Sequence, residues 1–262
     1  MDIKILVAAH KKYWMAEDLV YMPLHVGAEG KEPLGYTSDN TGDNISSKNP
    51  NYCELTGLYW AWKNLHADYV GLCHYRRYFA HSDSPNASLE EKKQLILKRN
   101  DYEKLLQSYD VIVPFRSLWG RHMTTKDQYE GSHYSKDLCI LRQVIQEKQP
   151  DYVDAFEVVM KRHSSHCLNM FVIKKEHFDR YCEWLFSILF EVEKRVDISD
   201  YDTYQARIFG FMSERLVDVW LCNEKMRIKE VPVVYLEDQK HVSLKNRVKP
   251  YFCRIVYSWL GW

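Results

Sequence analysis

The sequence contains no cysteine pair spaced C-x-x-C, no G-x-G-x-x-G, no G-x-x-x-x-G-K-[ST], and no apolar run of 18 residues. Each absence removes a class. Without a glycine-rich turn, neither the dinucleotide fingerprint nor P-loop phosphate chemistry is indicated. Without a long apolar run, no membrane-spanning helix is expected. The seven cysteines are an odd number, several inside apolar runs such as Val70-Gly-Leu-Cys-His74. That argues against zinc and disulfide frameworks and predicts buried, reduced thiols in a cytoplasmic protein. A charge excess of either sign is also missing, since 36 Lys+Arg meet 36 Asp+Glu. Nucleic-acid binders usually carry a basic excess, so no nucleic-acid partner is expected. No Pro/Gly/Ser-rich linker divides the chain, and Met1-Asp-Ile-Lys-Ile-Leu-Val7 is too short an apolar run for a signal peptide.

What is present is apolar and aromatic: 46% hydrophobic residues, 14% aromatic, in 262 residues. That supports one large core, read as a catalytic domain over 1–240 and a tail over 241–262. In the tail, Lys245-Asn-Arg-Val-Lys249 precedes an aromatic, apolar segment ending at Trp262. Two readings stay open for it. It is an anchor on the inner face of an anionic membrane, or a terminal element packed on the core.

Ile3–Ala9 is expected to form a buried first strand that ends at His10. Residues 27–50, rich in Gly, Asp, Asn, Ser and Pro, read as a long loop, and long loops in compact domains are often functional. Apolar spacing predicts helices over Tyr52–Leu65, Asn100–Tyr109, Lys136–Lys148, Tyr152–Lys161, Phe178–Arg195 and Thr203–Lys225. Strands are predicted over Asp68–Tyr75, Asp110–Pro114, Leu168–Ile173 and Arg227–Leu236. Asn100 and Glu103 have capping-box spacing, and residues 115–135 read as a second polar loop. Strands separated by helices define an α/β fold with a mainly parallel sheet. Ligands of open α/β sheets bind beyond the carboxyl ends of the strands. That nominates His10, His74-Tyr-Arg-Arg77 and the loop after Pro114.

Several blocks carry a resemblance. They are Lys4-Ile-Leu-Val-Ala-Ala-His10, Tyr21-Met-Pro-Leu-His-Val-Gly-Ala-Glu29, Gly42-Asp-Asn-Ile-Ser46, the stretch Lys48–Asn64, Tyr69–Phe79, Asp110-Val-Ile-Val-Pro114, Asn169-Met-Phe-Val-Ile-Lys174 and Phe209-Gly-Phe-Met-Ser-Glu-Arg215. Together, and in order, they resemble an uncharacterised-domain family of capsule, exopolysaccharide and O-antigen gene clusters. The resemblance spans roughly residues 3–238. Its members are regarded as glycosyltransferases, and at least one transfers galactofuranose from its uridine diphosphate donor. The implied fold is a GT-A-like, Rossmann-type sandwich. The implied partners are a UDP-sugar donor and a lipid-linked oligosaccharide acceptor. GT-A enzymes usually hold Mg²⁺ or Mn²⁺ with Asp-x-Asp after a central strand. The matching place here reads His74-Tyr-Arg-Arg77, so metal-independent chemistry with no cofactor is expected, although Mg²⁺ or Mn²⁺ stays open.

Two arginines and an imidazole can neutralise a leaving diphosphate directly. Successive residues on a strand face opposite ways, so one of Arg76 and Arg77 is expected to meet phosphate. Ala9 and His10, ending the first strand, and Asp43, Asn44, Asn49 and Tyr52, with Glu54 and Thr56 near them, complete the expected donor site. Their polar groups suit ribose and sugar hydroxyls, and ordinary turn chemistry uses the same residues. His163 and His166 stand three apart, but no third ligand has zinc spacing, so metal ligands are not assigned. His163 and Asn169 are expected beside the acceptor. Glu214 is the first choice as general base of an inverting transferase, with Asp218, one turn on, and His166 as further catalytic candidates. The alternatives are the same fold on another nucleotide sugar, or a non-catalytic nucleotide-sugar or glycan-binding subunit.

Overall fold

The computed structural model describes residues 1–237. The chain runs β1 (Ile3–Ala9), β2 (Tyr21–His25), β3 (Thr37–Ser38), α1 (Asn49–Tyr52), α2 (Leu55–Asn64), β4 (Tyr69–His74), β5 (Arg77–Phe79), α3 (Leu89–Gln94), α4 (Arg99–Leu106) and β6 (Val111–Pro114). It continues through β7 (Ser117–Leu118), α5 (Thr125–Glu130), α6 (Ser135–Lys148), α7 (Val153–Lys161), β8 (Ser164–Ser165), β9 (Phe171–Lys174), α8 (Lys175–Glu193), α9 (Ile208–Asn223), β10 (Ile228–Val231) and β11 (Val233–Tyr235). The main sheet has the order β10-β6-β9-β4-β1-β2-β3. Its neighbours are parallel except β9, which runs against both β4 and β6. The expected α/β sandwich with a mainly parallel sheet is therefore what folds.

Strand alternation builds the two cores. Leu6 and Ala8 of β1 pack with Leu24, Leu55 and Leu58 on one face, under α2, α8 and α9. Ile5, Val7 and Ala9 pack with Tyr21, Tyr78 and Tyr102 on the other. A strand covered on both faces reads as a continuous apolar run, which is why β1 was legible. Each fully buried Ile, Leu or Val of this strand stabilises the fold by about 1.5–3 kcal/mol. Gly71 lets β9 approach β4, because a Cβ there would lie 2.8 Å from the Phe171 carbonyl oxygen.

The structure differs from expectation in places. The stretch 27–50 is not irregular throughout: it holds β3 and the start of α1. Asp39, fully buried, organises it by accepting from the Gly27 and Ala28 amides at 2.8 and 3.0 Å and from the hydroxyls of Ser46 and Thr56. The polar segment 115–135 contains α5, capped reciprocally by Thr124 and Asp127. Helix α4 is opened by Asp101, which accepts from the Lys98 amide at 2.8 Å, and not by Asn100 and Glu103. The last expected strand is split at Pro232 into β10 and β11. The six described cysteines are free; Cys73 and Cys182 are buried as expected, whereas Cys139 is exposed. Among the described residues no helix is long and apolar enough to cross a membrane. The tail 241–262, with its proposed membrane contact, lies outside the described residues, as does Cys253.

Candidate active site

A cleft of about 570 Å³ opens where β1, β2 and β4 end, the carboxyl edge at which open α/β sheets bind ligands. That volume falls within the roughly 300–1,000 Å³ of small-ligand sites. Six basic side chains line it: His10, Lys31, His74, Arg76, Arg77 and Arg207. Its carboxylates are Glu54 and Glu214. The cations come from four places, namely the end of β1, the loop after β2, the β4–β5 hairpin, and the turn before α9.

Most of this positive charge is not locally neutralised. Arg76 pairs with Glu237 at 2.6 Å and lies over the Tyr75 ring. Arg77 lies over the Tyr235 ring, 5.7 Å from its centroid, and Arg207 donates to the Cys53 sulfur at 3.2 Å. Lys31, Arg77 and Arg207 form no ion pair among the described residues. The His10 imidazole is held below its ordinary pKa, by burial first and then by the charges of Lys11, Arg76, Lys31 and Arg207. Uncompensated cations converging on a concave surface repel one another, and a bound anion relieves that.

At the inner end of the cleft stands Glu214, on α9, with 23% of its side chain exposed. One carboxylate oxygen accepts the Leu168 amide at 3.2 Å and the other accepts from Arg215 at 2.7 Å. Arg215 is itself buried, bonded to the Phe211 carbonyl and to Gln128. Burial raises the Glu214 pKa, the Arg215 charge lowers it, and the nearby Glu54 charge raises it again, with a net rise. A carboxylate can accept about four hydrogen bonds, so both oxygens keep acceptor capacity toward the cleft.

The sequence-nominated residues divide. His10, Asn49, His74, Arg76, Arg77 and Glu214 come together in the cleft. Asn49 supports it, donating to the Cys53 carbonyl at 2.7 Å and packing against Gly27, where a Cβ would lie 2.3 Å from the Asn49 side chain. The His74 ring N–H donates to the Leu168 carbonyl at 2.6 Å. Ala9 is turned into the core, and Ala8 lines the cleft instead. Asp43 and Asn44 serve the loop: Asp43 accepts from the Tyr59 hydroxyl, and Asn44 bonds the Gly42 carbonyl and the Ser46 amide. Tyr52 is fully buried, stacked on Phe209 with ring centroids 4.4 Å apart. His163 is exposed and bonds the Met123 carbonyl. Asn169 holds Glu54 at 2.7 Å from beneath without lining the cleft.

Asp218 and His166 are paired with each other rather than with the cleft. Each is 1% exposed, and Asp218 accepts both the His166 amide at 2.9 Å and its Nδ1–H at 2.5 Å. Burial alone would push both groups toward neutrality. Their mutual attraction outweighs it, holding the His166 pKa up and the Asp218 pKa down. Neither of these two expected catalytic candidates lines the cleft. Sequence reasoning missed Lys31 and Arg207, which lie in polar stretches with no local signal.

A divalent cation prefers carboxylate and carbonyl oxygens. The end of β4 offers imidazole and guanidinium, and Glu54 and Glu214 are engaged with Asn169 and Arg215. Among the described residues no group of three or more His, Cys, Asp or Glu is placed to hold a metal. The two carboxylates of the cleft are thus each already bonded to a protein partner.

Fold and cleft together define an α/β protein with a cationic cleft at the carboxyl edge of its sheet. The chain belongs to the family described as a domain of unknown function, DUF4422, whose model matches residues 4–225. Among solved structures, it is similar to the WbbM bifunctional glycosyltransferase in its apo form, with a TM-score of 0.83 and 30% identity. That match covers 90% of this chain and 45% of the other, so the chain spans under half of that protein. No curated protein matches.

Proposed function

We propose that this chain is a glycosyltransferase that uses a nucleoside diphosphate sugar. The observation that carries the reading is the set of unpaired cations, Lys31, Arg77 and Arg207, gathered at the strand ends beside a half-buried carboxylate. Similarity to a bifunctional glycosyltransferase supports it. In this reading the diphosphate lies against the cations and the sugar points toward Glu214. Glu214 takes the proton of an acceptor hydroxyl, the hydroxyl oxygen bonds to the anomeric carbon, and the carbon–oxygen bond to the diphosphate breaks. The electron pair leaves with the diphosphate, whose growing charge the guanidinium groups offset. The configuration inverts in such an in-line displacement. UDP-galactofuranose is the donor favoured by the family resemblance, and a lipid-linked glycan of a bacterial surface polysaccharide is the acceptor.

The test is release of nucleotide diphosphate from a panel of nucleotide sugars. A transferase hydrolyses its own donor slowly and the others less, whereas a binding subunit releases nothing from any. Because cationic side chains stand where a metal-binding Asp-x-Asp is usual, product formation is expected to persist in excess EDTA. Complete loss restored by Mn²⁺ contradicts this part of the reading.

The raised Glu214 pKa sets the sign of a pH effect. A general base acts in its ionised form, so kcat/KM is expected to hold above that pKa and to fall as pH drops through it. A pH–rate profile of the wild type should show this acid limb above the ordinary glutamate range near 4.3. A flat profile down to pH 4 argues against Glu214 as the base.

A further inference from the structure

We propose that a second cavity, across Leu168 from the cationic cleft, receives an uncharged sugar of the acceptor. This rests on the transferase reading above. The cavity, about 320 Å³, lies between the end of β6, β7 and β11. It and the cleft share Leu168 as a wall. They also adjoin where Arg77, on the cleft side, lies over the ring of Tyr235, which lines the second cavity.

Leu168 is a built ridge. Its φ is +81° and that of Asn169 is +52°, two successive non-glycine residues in the left-handed region. Such conformations cost about 1–3 kcal/mol each and persist only where surroundings impose them. The surroundings here are the reacting groups: Glu214 accepts the Leu168 amide, and the His74 ring donates to its carbonyl. The ridge is therefore pinned from both ends by residues of the cleft. Glu214 lines the cleft and touches the wall between the two spaces by accepting the Leu168 amide. In the proposed arrangement the sugar held in the second cavity offers a hydroxyl past the Leu168 ridge to that carboxylate.

The chemistry of the second cavity differs from that of the cleft. Its cation, Arg116, is already balanced, 3.2 Å from Glu230. Glu230 is in turn bonded to His166 at 3.1 Å, and His166 to Asp218, so Arg116 stands on a chain of bonds anchored in the buried His166–Asp218 pair. Asp83 supplies a carboxylate, Ser117 a hydroxyl, and Tyr235, Leu118 and Val233 apolar surface. Balanced polar groups beside an aromatic ring suit a neutral pyranose or furanose, with hydroxyls toward Asp83 and Arg116 and a C–H face on Tyr235. A free anion would meet Asp83. The volume holds one or two sugar rings and not a nucleotide sugar, by comparison with the roughly 300–1,000 Å³ range of small-ligand sites.

The experiment is saturation-transfer NMR with methyl glycosides of galactose, glucose and mannose, recorded with UDP present, beside UDP titration. Wild type is expected to give signals from at least one glycoside. Leu118→Trp, which fills the cavity, should abolish those signals and lower acceptor-dependent transfer at least tenfold. UDP affinity and donor hydrolysis should stay within twofold. Asp83→Ala, which adds no bulk and lies in a loop, should raise the acceptor KM severalfold with little change in kcat. No glycoside signal in wild type, or unchanged signals and transfer in both variants, overturns the inference while leaving donor chemistry intact. Absence of UDP binding and donor hydrolysis in wild type overturns the transferase reading itself, and the inference with it.

Discussion

Replacing Glu214 by glutamine is expected to leave UDP affinity near the wild-type value and to lower turnover about 100-fold or more, the usual worth of a positioned base. Glutamine keeps the length of the side chain and can still accept the Leu168 amide, so the ridge should stand. It cannot take a proton at neutral pH. Arg215, buried beneath it, keeps its bonds to the Phe211 carbonyl and to Gln128. Steady-state assays beside calorimetry separate the two effects. The acid limb of the pH–rate profile should vanish in this variant, a change that mere loosening of the fold would not produce. Normal turnover removes Glu214 as base. Glu54, the other carboxylate of the cleft, then becomes the group to test.

Arg77→Ala is expected to weaken donor binding by about 10- to 100-fold and to lower turnover as well. A hydrogen bond to a charged group is worth about 1.5–3 kcal/mol, and each 1.4 kcal/mol is tenfold. Arg77 leaves no carboxylate stranded when removed, since it lies over the face of Tyr235. Arg77→Lys should recover part of the loss, because lysine lacks the planar fork that grips two phosphate oxygens. Arg76→Ala should cost less, within about fivefold. Its guanidinium is already committed to Glu237, and half-exposed ion pairs are worth roughly 0–1 kcal/mol. Equal losses at the two positions would contradict the division of roles read from their partners.

Some of this was legible in the sequence. Buried strands announce themselves as apolar runs, so β1, β4, β6 and β9 were expected nearly where they lie. Strand β2 was not, because Pro23 lacks an amide to donate and ordinarily argues against a paired strand. Helix α3 has no buried residue and so no apolar stripe to find; its sign is the Ser88–Glu91 capping box. The strand-end rule found His10, His74, Arg76 and Arg77 because position after a strand is a local property. Lys31 and Arg207 reach the same cleft from loops far apart in sequence, which only the fold brings together. Asp43 accepts from the Tyr59 hydroxyl, Asn44 makes hydrogen bonds within its loop, and neither lines the cleft; sugar-binding and turn-forming residues share one chemistry. Asp218 lies one turn from Glu214, yet Asp218 is sealed against His166 while Glu214 is partly open, a difference set by what packs on each face of α9.

The most direct measurement is calorimetric titration of uridine, UMP and UDP into the wild-type protein at fixed ionic strength. If unpaired cations at the strand ends hold a diphosphate, affinity climbs from uridine to UMP to UDP, and raising the salt weakens UDP most. Equal affinities for all three, or no binding by UDP, would contradict a nucleotide-sugar site in this cleft.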